Sequence, residues 1–239
     1  TPGAGRKRGP PSPGRARAGA RTGMGTGDGY QDMARRTRAE AGATRDLLLD
    51  AAEQVLFERG YANTSLEQIA RHAGMTRGAI YWHFRDKADV FNALALRVSF
   101  PLDELVARLE QETAARPLAT LRALCLYALR NLANDPRRQR VYTILLHRLE
   151  KTPATVAALA HIQEVEDRAL DRFEQLFAQA RDAGDMAASL SPRTAAWALQ
   201  TYVRGIYSSW LREPASFPLE DSAEALLDVF FQGLPMPVR

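Results

Sequence analysis

The stretch TSLEQIARHAGMTRGAIYWHFRDK, residues 64–87, constrains the fold of this chain more than any other part of it. Thr64 and Glu67 have the spacing of a capping box, which predicts that Thr64 begins a helix. Gly74 follows where the chain must turn sharply, because a residue without a Cβ turns at the least steric cost. The apolar residues between them have the i, i+3, i+4 and i+7 spacing of one helix face: Leu66, Ile69, Ala70 and Ala73.

A second short helix is predicted after this turn. Thr76 can cap it, and Ile80 and Phe84, four residues apart, point back to the core of the first helix. A short helix with a cation, two aromatic rings and a bare backbone position suits the major groove of DNA. The pattern therefore predicts a helix-turn-helix, with a generic helical hairpin as the alternative. Core packing is the alternative for the two aromatic residues. The outward face consists of Arg77, Gly78, Tyr81, Trp82 and His83.

Reach and chemistry suggest what these side chains do on DNA. Arg77 can donate two parallel hydrogen bonds to a guanine edge, and Thr76, at a helix start, can bond a base or a phosphate. Tyr81 and His83 are better placed for phosphate oxygens, and Lys87 adds a further phosphate contact. The full set predicted to bind DNA is Arg45, Thr64, Ser65, Thr76, Arg77, Gly78, Tyr81, Trp82, His83 and Lys87.

These two helices resemble the DNA-binding domain of a known family. The strings TSLEQIA and TRGAIYWHF, with AG at the turn, are similar to those of the TetR family of bacterial one-component regulators, and most of all to its AcrR-like multidrug-efflux repressors. The likeness begins at residues 33–41, is sharp to about Leu96 and continues loosely to Leu234. It implies that residues 76–78 read bases. It also implies that three side chains anchor phosphates: Tyr81, His83 and Lys87.

The resemblance also implies a way of working. It indicates a ligand-responsive transcriptional repressor of a multidrug efflux operon, released by a small hydrophobic or aromatic inducer. A dimer must present two recognition helices to successive major-groove faces, so its double-stranded operator DNA is expected to be nearly palindromic. The alternatives are a helical small-molecule binding protein and a transcriptional activator with the same DNA-binding helices.

Composition limits the class of protein. The 239 residues are 46% hydrophobic and 25% charged, as in ordinary globular proteins. No apolar run approaches the roughly 20 residues that span a bilayer. The single cysteine, Cys125, excludes an intramolecular disulfide and suits a reducing compartment. We therefore expect a cytoplasmic protein without membrane contact.

Positive charge is concentrated at the start of the chain. Residues 1–43 hold nine Lys and Arg against three Asp and Glu, although the net charge of the whole chain is only +4. Residues 1–32 are rich in Gly, Pro and Arg and are predicted to be a disordered extension. One interpretation of this extension is a solvated tail that binds no partner. Four arginines in and just after the basic segment are expected along the DNA backbone or minor groove: Arg35, Arg36, Arg38 and Arg45.

The rest of the chain reads as helix after helix, with no convincing alternating strand. We expect an all-α fold of about nine helices, the first at about 44–59. A three-helix DNA-binding head is expected over 33–85 and a ligand-binding and dimerisation body over 86–234, followed by a tail at 235–239. Pro101 is expected to kink or divide the fourth helix.

The predicted body carries many aromatic side chains. Such a set can line a largely apolar pocket with a few polar tips, which is the usual form of a small-molecule site. Ordinary core packing is the alternative for any one of them. The resemblance favours a pocket, because AcrR-like proteins bind drugs, dyes or detergent-like molecules there. The predicted lining residues are Tyr142, Leu146, His147, Glu150, Phe173 and Phe177.

The last two predicted helices have the pattern of an association surface. Their apolar residues cover more than one face, and a helix that is apolar over that width must bury both sides. A partner subunit is the simplest second surface, so a homodimer is predicted. The predicted interface residues are Leu199, Val203, Ile206, Trp210, Leu226, Leu227 and Phe230.

No catalytic set can be assembled from these residues. Two His-x-x-Glu pairs, His147/Glu150 and His161/Glu164, reverse the order found in carboxylate-bridged metal bundles, and spare inward acids are not evident. Cys125 has no activating neighbour in the sequence and is expected to be a small buried residue. We expect no enzymatic activity, cofactor or metal.

Overall fold

The computed structural model describes residues 27–99, 101–114, 116–150 and 159–235, with side chains from residue 39 onward apart from residue 161. Every regular element in these ranges is a helix, which confirms the all-α expectation for them. None of these helices is both long and apolar enough to cross a membrane. A 3-10 turn, Pro214–Ser216, precedes the last helix. The α-helices are α1 (Gly27–Arg59), α2 (Leu66–His72), α3 (Arg77–His83), α4 (Lys87–Val98), α5 (Leu102–Glu112), α6 (Pro117–Asn134), α7 (Pro136–His147), α8 (Ala160–Asp182), α9 (Pro192–Arg212) and α10 (Leu219–Gln232).

Contacts divide the chain into two units, residues 1–42 and 43–239. Of the first unit, the start of α1 is described. The expected helix start near residue 44 is wrong, because α1 begins at Gly27 and includes residues 27–32, which were predicted to be disordered. The good helix formers of the QDMARRTRAEA string favour this longer helix. The remainder of the predicted extension, residues 1–26, lies outside the described residues.

The described residues of the second unit form two clusters of buried apolar side chains. The first, which we call the head core, joins α1, α2, α3 and α4. Leu48, Ala52 and Leu56 are fully buried there, because they lie on one face of α1. Ile144 of α7 belongs to the same cluster. The head core therefore extends past residue 85, where the head was expected to end.

Pro101 divides the predicted fourth helix. α4 ends at Val98 and α5 begins at Leu102, with Pro101 at the N-cap position of α5. Proline has no N–H with which to continue the helical hydrogen bonds, and its ring clashes with the preceding turn. Asp86 begins α4, since its side chain accepts a hydrogen bond from the Asp89 amide.

The second cluster, which we call the body core, joins α5, α6, α8, α9 and α10. Leu121, Leu129 and Phe177 are fully buried in it. Pro117 and Pro192 lie in the first turns of α6 and α9, where a missing N–H leaves no helical hydrogen bond unmade. These prolines fix where the long helices of the body begin.

The predicted dimer stripe is wrong for four of its seven residues, because their side chains are buried inside their own chain, and for the three partly buried residues it stays a prediction. The sequence pattern marks the inward faces of α9 and α10, which contact α8 and α6. The members buried in the body core are Leu199, Ile206, Trp210 and Leu227. The members partly buried against that core are Val203, Leu226 and Phe230. The large apolar side chains that α9 and α10 do expose are Trp197 and Val229.

Candidate nucleic-acid interface

The helix α2 is capped one residue later than predicted. Ser65 is the N-cap: its hydroxyl accepts from the Gln68 amide, and the Gln68 side chain accepts from the Ser65 amide. Thr64 instead donates its hydroxyl to the Gly60 carbonyl at 2.8 Å, and only 4% of its surface is exposed. The prediction that Thr64 begins the helix and contacts DNA is therefore wrong, because its buried side chain is hydrogen-bonded to the turn that follows α1.

The helix α3 presents the outward face that the sequence predicts. Thr76 caps it by accepting from the Ala79 amide at 3.2 Å, and Ile80 anchors it in the head core. Tyr81 is exposed, and 73% of the surface of Trp82 is exposed. The core-packing alternative is therefore wrong for both aromatic residues.

Two glycines shape this surface. Gly74 has a φ of +67°, which residues with a Cβ rarely adopt, so the turn between α2 and α3 depends on it. At Gly78 an added Cβ would meet only Thr76 Oγ1, at an ordinary contact distance of 3.9 Å. The fold itself does not require a glycine at residue 78. A bare backbone there suits close approach by a molecule outside the chain, as in a DNA groove.

Glu67 of α2 joins two exposed side chains of α3. Its Oε1 accepts from the Tyr81 hydroxyl at 2.8 Å and lies 3.3 Å from Arg77 Nε. The Arg77 guanidinium also lies over the Tyr81 ring, 5.4 Å from its centroid. The pKa of Glu67 is lowered, first by a hydrogen bond with its own backbone and then by the Tyr81 hydroxyl. The sequence pattern does not indicate this cluster, because its members lie on two different helices.

Lys87, predicted to contact phosphate, already has partners at the start of α4. Its ammonium donates to the Tyr61 carbonyl and lies 4.3 Å from the centroid of the Tyr61 ring. Burial lowers the pKa of Lys87. An ammonium has three protons to donate, so the contact with Tyr61 leaves it able to bind phosphate as well. Lys87 therefore also ties the turn after α1 to α4.

Arg45 and His83 belong to the same part of the head. The His83 ring packs edge-on against Trp82, with 4.5 Å between ring centroids. The pKa of His83 is lowered, mainly by burial and also by the charge of Arg45. Arg45 is exposed, and its guanidinium lies 5.1 Å from the centroid of the Phe84 ring. The arginine side chains predicted along the DNA before Arg45 lie outside the described residues: Arg35, Arg36 and Arg38.

An acidic row on α1, made of Asp46, Asp50 and Glu53, faces arginines of α4 and α7. Arg97 of α4 pairs with Asp46 and, at 2.7 Å, with Asp50. Arg137 of α7 reaches the same Asp50 carboxylate at 2.8 Å. The i, i+4 and i+7 spacing of the row is visible in the sequence, but its arginine partners are not, because they lie far along the chain.

Glu53 is the buried member of the acidic row, with 2% of its surface exposed. Arg140 Nε lies 2.5 Å from Glu53 Oε1, and Arg137 Nε lies 3.2 Å from Glu53 Oε2. A carboxylate buried to this degree requires paired positive charge. Both arginines belong to α7, so this pairing ties the first helix of the head to the body.

The six residues predicted to line a ligand pocket do not come together. His147 and Glu150 are exposed and line a surface cleft of about 270 Å³ beside Arg59 and Asn63 of the head. The cleft lies beside the end of α1, but the His147 ring also lies 3.1 Å from the Ser208 carbonyl of α9, next to Tyr207, so the place of His147 in the predicted lining stays a prediction. The other four lie in the body core or pack against it: Tyr142, Leu146, Phe173 and Phe177.

A pair of tyrosines packs at the body core. The rings of Tyr142 and Tyr207 meet edge to face, with 5.1 Å between centroids. The Tyr207 hydroxyl donates to the Ala128 carbonyl at 3.1 Å. Burial raises the pKa of both tyrosines. Tyr207 was absent from the predicted lining, although its place on an aromatic-rich helix could have suggested it.

Cys125 is buried in the body core, as expected. Burial raises the pKa of its thiol to about 12. Among the residues that the structure describes, no three His, Cys, Asp or Glu side chains are grouped closely enough to hold a metal ion.

The capped turn and the exposed face of α3 define a helix-turn-helix DNA-binding protein, and its C-terminal helices form a second core of their own. Residues 48–94 match the family described as bacterial regulatory proteins, tetR family. Residues 116–236 match the description MAATS-type transcriptional repressor, C-terminal region. The chain therefore belongs to the TetR family, and it is a DNA-binding transcriptional repressor.

Individual relatives confirm the resemblance to AcrR-like repressors. AcrR of Shigella flexneri is 32% identical over 204 residues, which cover 84% of this chain and 93% of AcrR. NalD, the secondary repressor of the MexAB-OprM multidrug efflux pump in Pseudomonas aeruginosa, is 38% identical with a TM-score of 0.76, over 82% of this chain and 98% of NalD. SmeT of Stenotrophomonas maltophilia, solved in complex with triclosan, is 34% identical with a TM-score of 0.69, over 80% of this chain and 90% of SmeT.

Proposed function

We propose that this repressor controls a multidrug efflux operon, binds its operator as a homodimer and is released by a small hydrophobic or aromatic inducer. The solved relatives support the target and the inducer, since NalD represses an efflux pump and SmeT binds triclosan. The observation that carries the proposal is the exposed face of α3, where 74% of the Arg77 side chain is accessible. Because its target is chromosomal DNA, we expect the protein in the cytoplasm.

The proposed DNA contacts follow from the order of side chains along α3. Arg77 bonds Glu67 through Nε, which leaves its two terminal nitrogens for the O6 and N7 atoms of a guanine. Gly78, beside it, lets the backbone come close to the groove. The Thr76 hydroxyl accepts from the Ala79 amide and keeps its own proton, which it can donate to a phosphate oxygen; such a contact fixes the register of the helix without reading sequence.

The proposed dimer face is the exposed side of α9 and α10. Trp197, Thr201 and Gly205 recur every four residues on α9 and are exposed, with 54% of Trp197 accessible. Val229 of α10 is 69% exposed. Large apolar side chains beside small ones favour close packing against another helix. A two-fold dimer would bury this face on both copies and present two α3 helices to half-sites about one turn, or a multiple of it, apart.

The proposed inducer site lies where α7 meets the body core. Tyr142 and Tyr207 supply two aromatic faces with hydroxyl groups, and Phe173 of α8 packs against the same core. Apolar walls with a few polar tips are suited to small hydrophobic molecules. The exposed Glu150 is not part of this proposed site.

The helix α7 is the proposed link between the inducer and the head. It carries Tyr142 at the body core, Ile144 in the head core, and the two arginines that hold the acidic row of α1, Arg137 and Arg140. A displacement of α7 would therefore move α1. An inducer can release DNA in this way only if it binds the DNA-incompetent arrangement more tightly than the DNA-bound one.

Titration of the protein on the promoter regions of efflux-pump genes from the same genome, with and without drug, tests the proposal. We expect sequence-selective, salt-dependent binding, and lower operator affinity in the presence of triclosan or another drug from a hydrophobic panel. By linkage, operator DNA should weaken binding of that drug by the same factor. Deletion of the gene should raise transcription of the pump genes, whereas a fall would indicate an activator. Operator affinity that no drug in the panel changes would contradict the proposed regulation.

A further inference from the structure

Glu67 is placed unusually for an acidic side chain, because it lies beside a surface that meets a polyanion. A carboxylate there repels phosphate, so it would be expected to weaken binding to any DNA. Its low pKa keeps it ionised at neutral pH. Of its two partners on α3, Arg77 is the side chain for which a base contact is proposed above, and Tyr81 donates its one hydroxyl proton to Glu67. The carboxylate therefore needs an explanation in terms of what it does to those partners.

The geometry fixes Arg77 from two sides. Glu67 Oε1 lies 3.3 Å from Arg77 Nε, and the face of the guanidinium lies over the Tyr81 ring. The same carboxylate oxygen accepts from the Tyr81 hydroxyl at 2.8 Å, which holds the ring in place under the guanidinium. An arginine that is otherwise free must lose rotamer entropy when it binds a base. Here part of that ordering is already present in the free protein.

We infer that Glu67 is a positioning residue for DNA recognition, which holds Arg77 and Tyr81 across α2 and α3 so that the terminal nitrogens of Arg77 are directed to a base. The inference rests on the proposed base contact of Arg77. Glu67 increases discrimination between operator and other DNA, while its negative charge lowers affinity for all DNA. Its removal should therefore change the two affinities in different ways, which loss of helix stability would not do.

The test measures the affinity of the full-length protein for operator and scrambled duplexes. Glu67→Ala should lower the ratio of operator to scrambled affinity by about five- to tenfold, while binding to scrambled DNA stays the same or tightens. Glu67→Asp keeps the charge at the start of α2 but shortens the side chain by one methylene, so it should lose discrimination without unfolding the helix. Glu67→Gln keeps an oxygen acceptor and should retain most of the ratio.

Two controls separate positioning from charge and from the base contact itself. Glu58→Ala removes an exposed carboxylate from α1 and should leave the ratio unchanged. In an Arg77→Ala background, Glu67→Ala should cause no further loss of discrimination.

Several results would overturn the inference. If Arg77→Ala lowers the ratio but neither Glu67→Ala nor Glu67→Asp does, Glu67 has no positioning role, although the base contact stands. If Arg77→Ala also leaves the ratio unchanged, the proposed base contact fails with it. If Glu67→Ala still lowers discrimination in the Arg77→Ala background, the effect does not pass through the Glu67–Arg77 ion pair. An equal loss in Glu67→Gln and Glu67→Ala would show that the oxygen acceptor at residue 67 does not hold Arg77 and Tyr81 in place.

Discussion

Arg140→Ala is expected to lower the free energy of unfolding by about 1.5–2 kcal/mol. Arg140 Nε lies 2.5 Å from Glu53 Oε1, and the Glu53 side chain is only 3% exposed. A hydrogen bond to a charged group contributes about 1.5–3 kcal/mol. Arg140 itself is 38% exposed, so solvent screening favours the lower part of that range.

The loss should stay below the value for a buried charge without any partner, about 3–5 kcal/mol. Arg137 Nε remains 3.2 Å from the other Glu53 oxygen, so the carboxylate keeps one cation in the variant. The double variant Arg137→Ala/Arg140→Ala would leave Glu53 buried without either arginine. It should therefore cost more than the sum of the two single changes.

Urea unfolding followed by circular dichroism measures these differences. Arg168→Ala, which removes an exposed arginine from α8, is the matched control and should change the free energy of unfolding by no more than about 0.5 kcal/mol. In a Glu53→Ala background, Arg140→Ala should cost about as little as this control. If Arg140→Ala in the wild-type background lowers the free energy of unfolding no more than Arg168→Ala does, the Glu53 pairing does not hold α7 to α1.

Three further predictions concern the dimer, the phosphate anchor and the thiol. The double variant Trp197→Glu/Val229→Glu should sediment as a monomer and bind the operator weakly. The control Leu47→Glu, on the exposed face of α1, should remain a dimer. A double variant that still sediments as a dimer would contradict the proposed dimer face. Lys87→Met should weaken binding to operator and scrambled DNA alike and reduce the salt slope by about one, whereas a selective loss on operator DNA would argue for base reading. Cys125, with its pKa raised from 9.0 to about 12, should react slowly with iodoacetamide in the folded protein and rapidly in urea. Between pH 9.0 and about 12 the thiol ionises in the unfolded chain but not in the folded one. The contribution of Cys125 to the free energy of unfolding should therefore be full below pH 9 and decline above it.

The sequence predicts the local structure of the head well, because the signals lie within a few residues of each other. The turn at Gly74, the cap at Thr76 and the outward face of α3 depend on adjacent residues and helical spacing. The cap of α2 is displaced by one residue because Thr64 and Ser65 are both good N-caps, and the spacing to Glu67 or Gln68 suits either. Which hydroxyl turns inward depends on the Gly60 carbonyl, which the motif does not include.

The body is harder to predict, because an apolar stripe in the sequence does not show whether it packs inside the same chain or against a partner subunit. Leu199, Ile206 and Trp210 have the pattern of an interface and are buried by helices of the same chain. His147 and Glu150 were predicted to share a helix face, but α7 ends at His147, and Glu150 lies beyond it in the surface cleft beside the head. The acidic row of α1 and the Glu67 cluster were missed because their partners lie on other helices. Such contacts follow from packing rather than from a local pattern.

The central claim is that the exposed face of α3 reads DNA, and the most direct test compares Arg77→Ala with Arg71→Ala. Both variants remove one exposed arginine from the head, but Arg71 lies in the last turn of α2. Arg77→Ala is expected to cost about 1–3 kcal/mol of operator affinity per half-site and to relax the preference at one base pair in each. Arg71→Ala should weaken operator and scrambled DNA to the same small extent. Equal effects of the two substitutions on operator selectivity would contradict the assignment of α3 as the recognition helix.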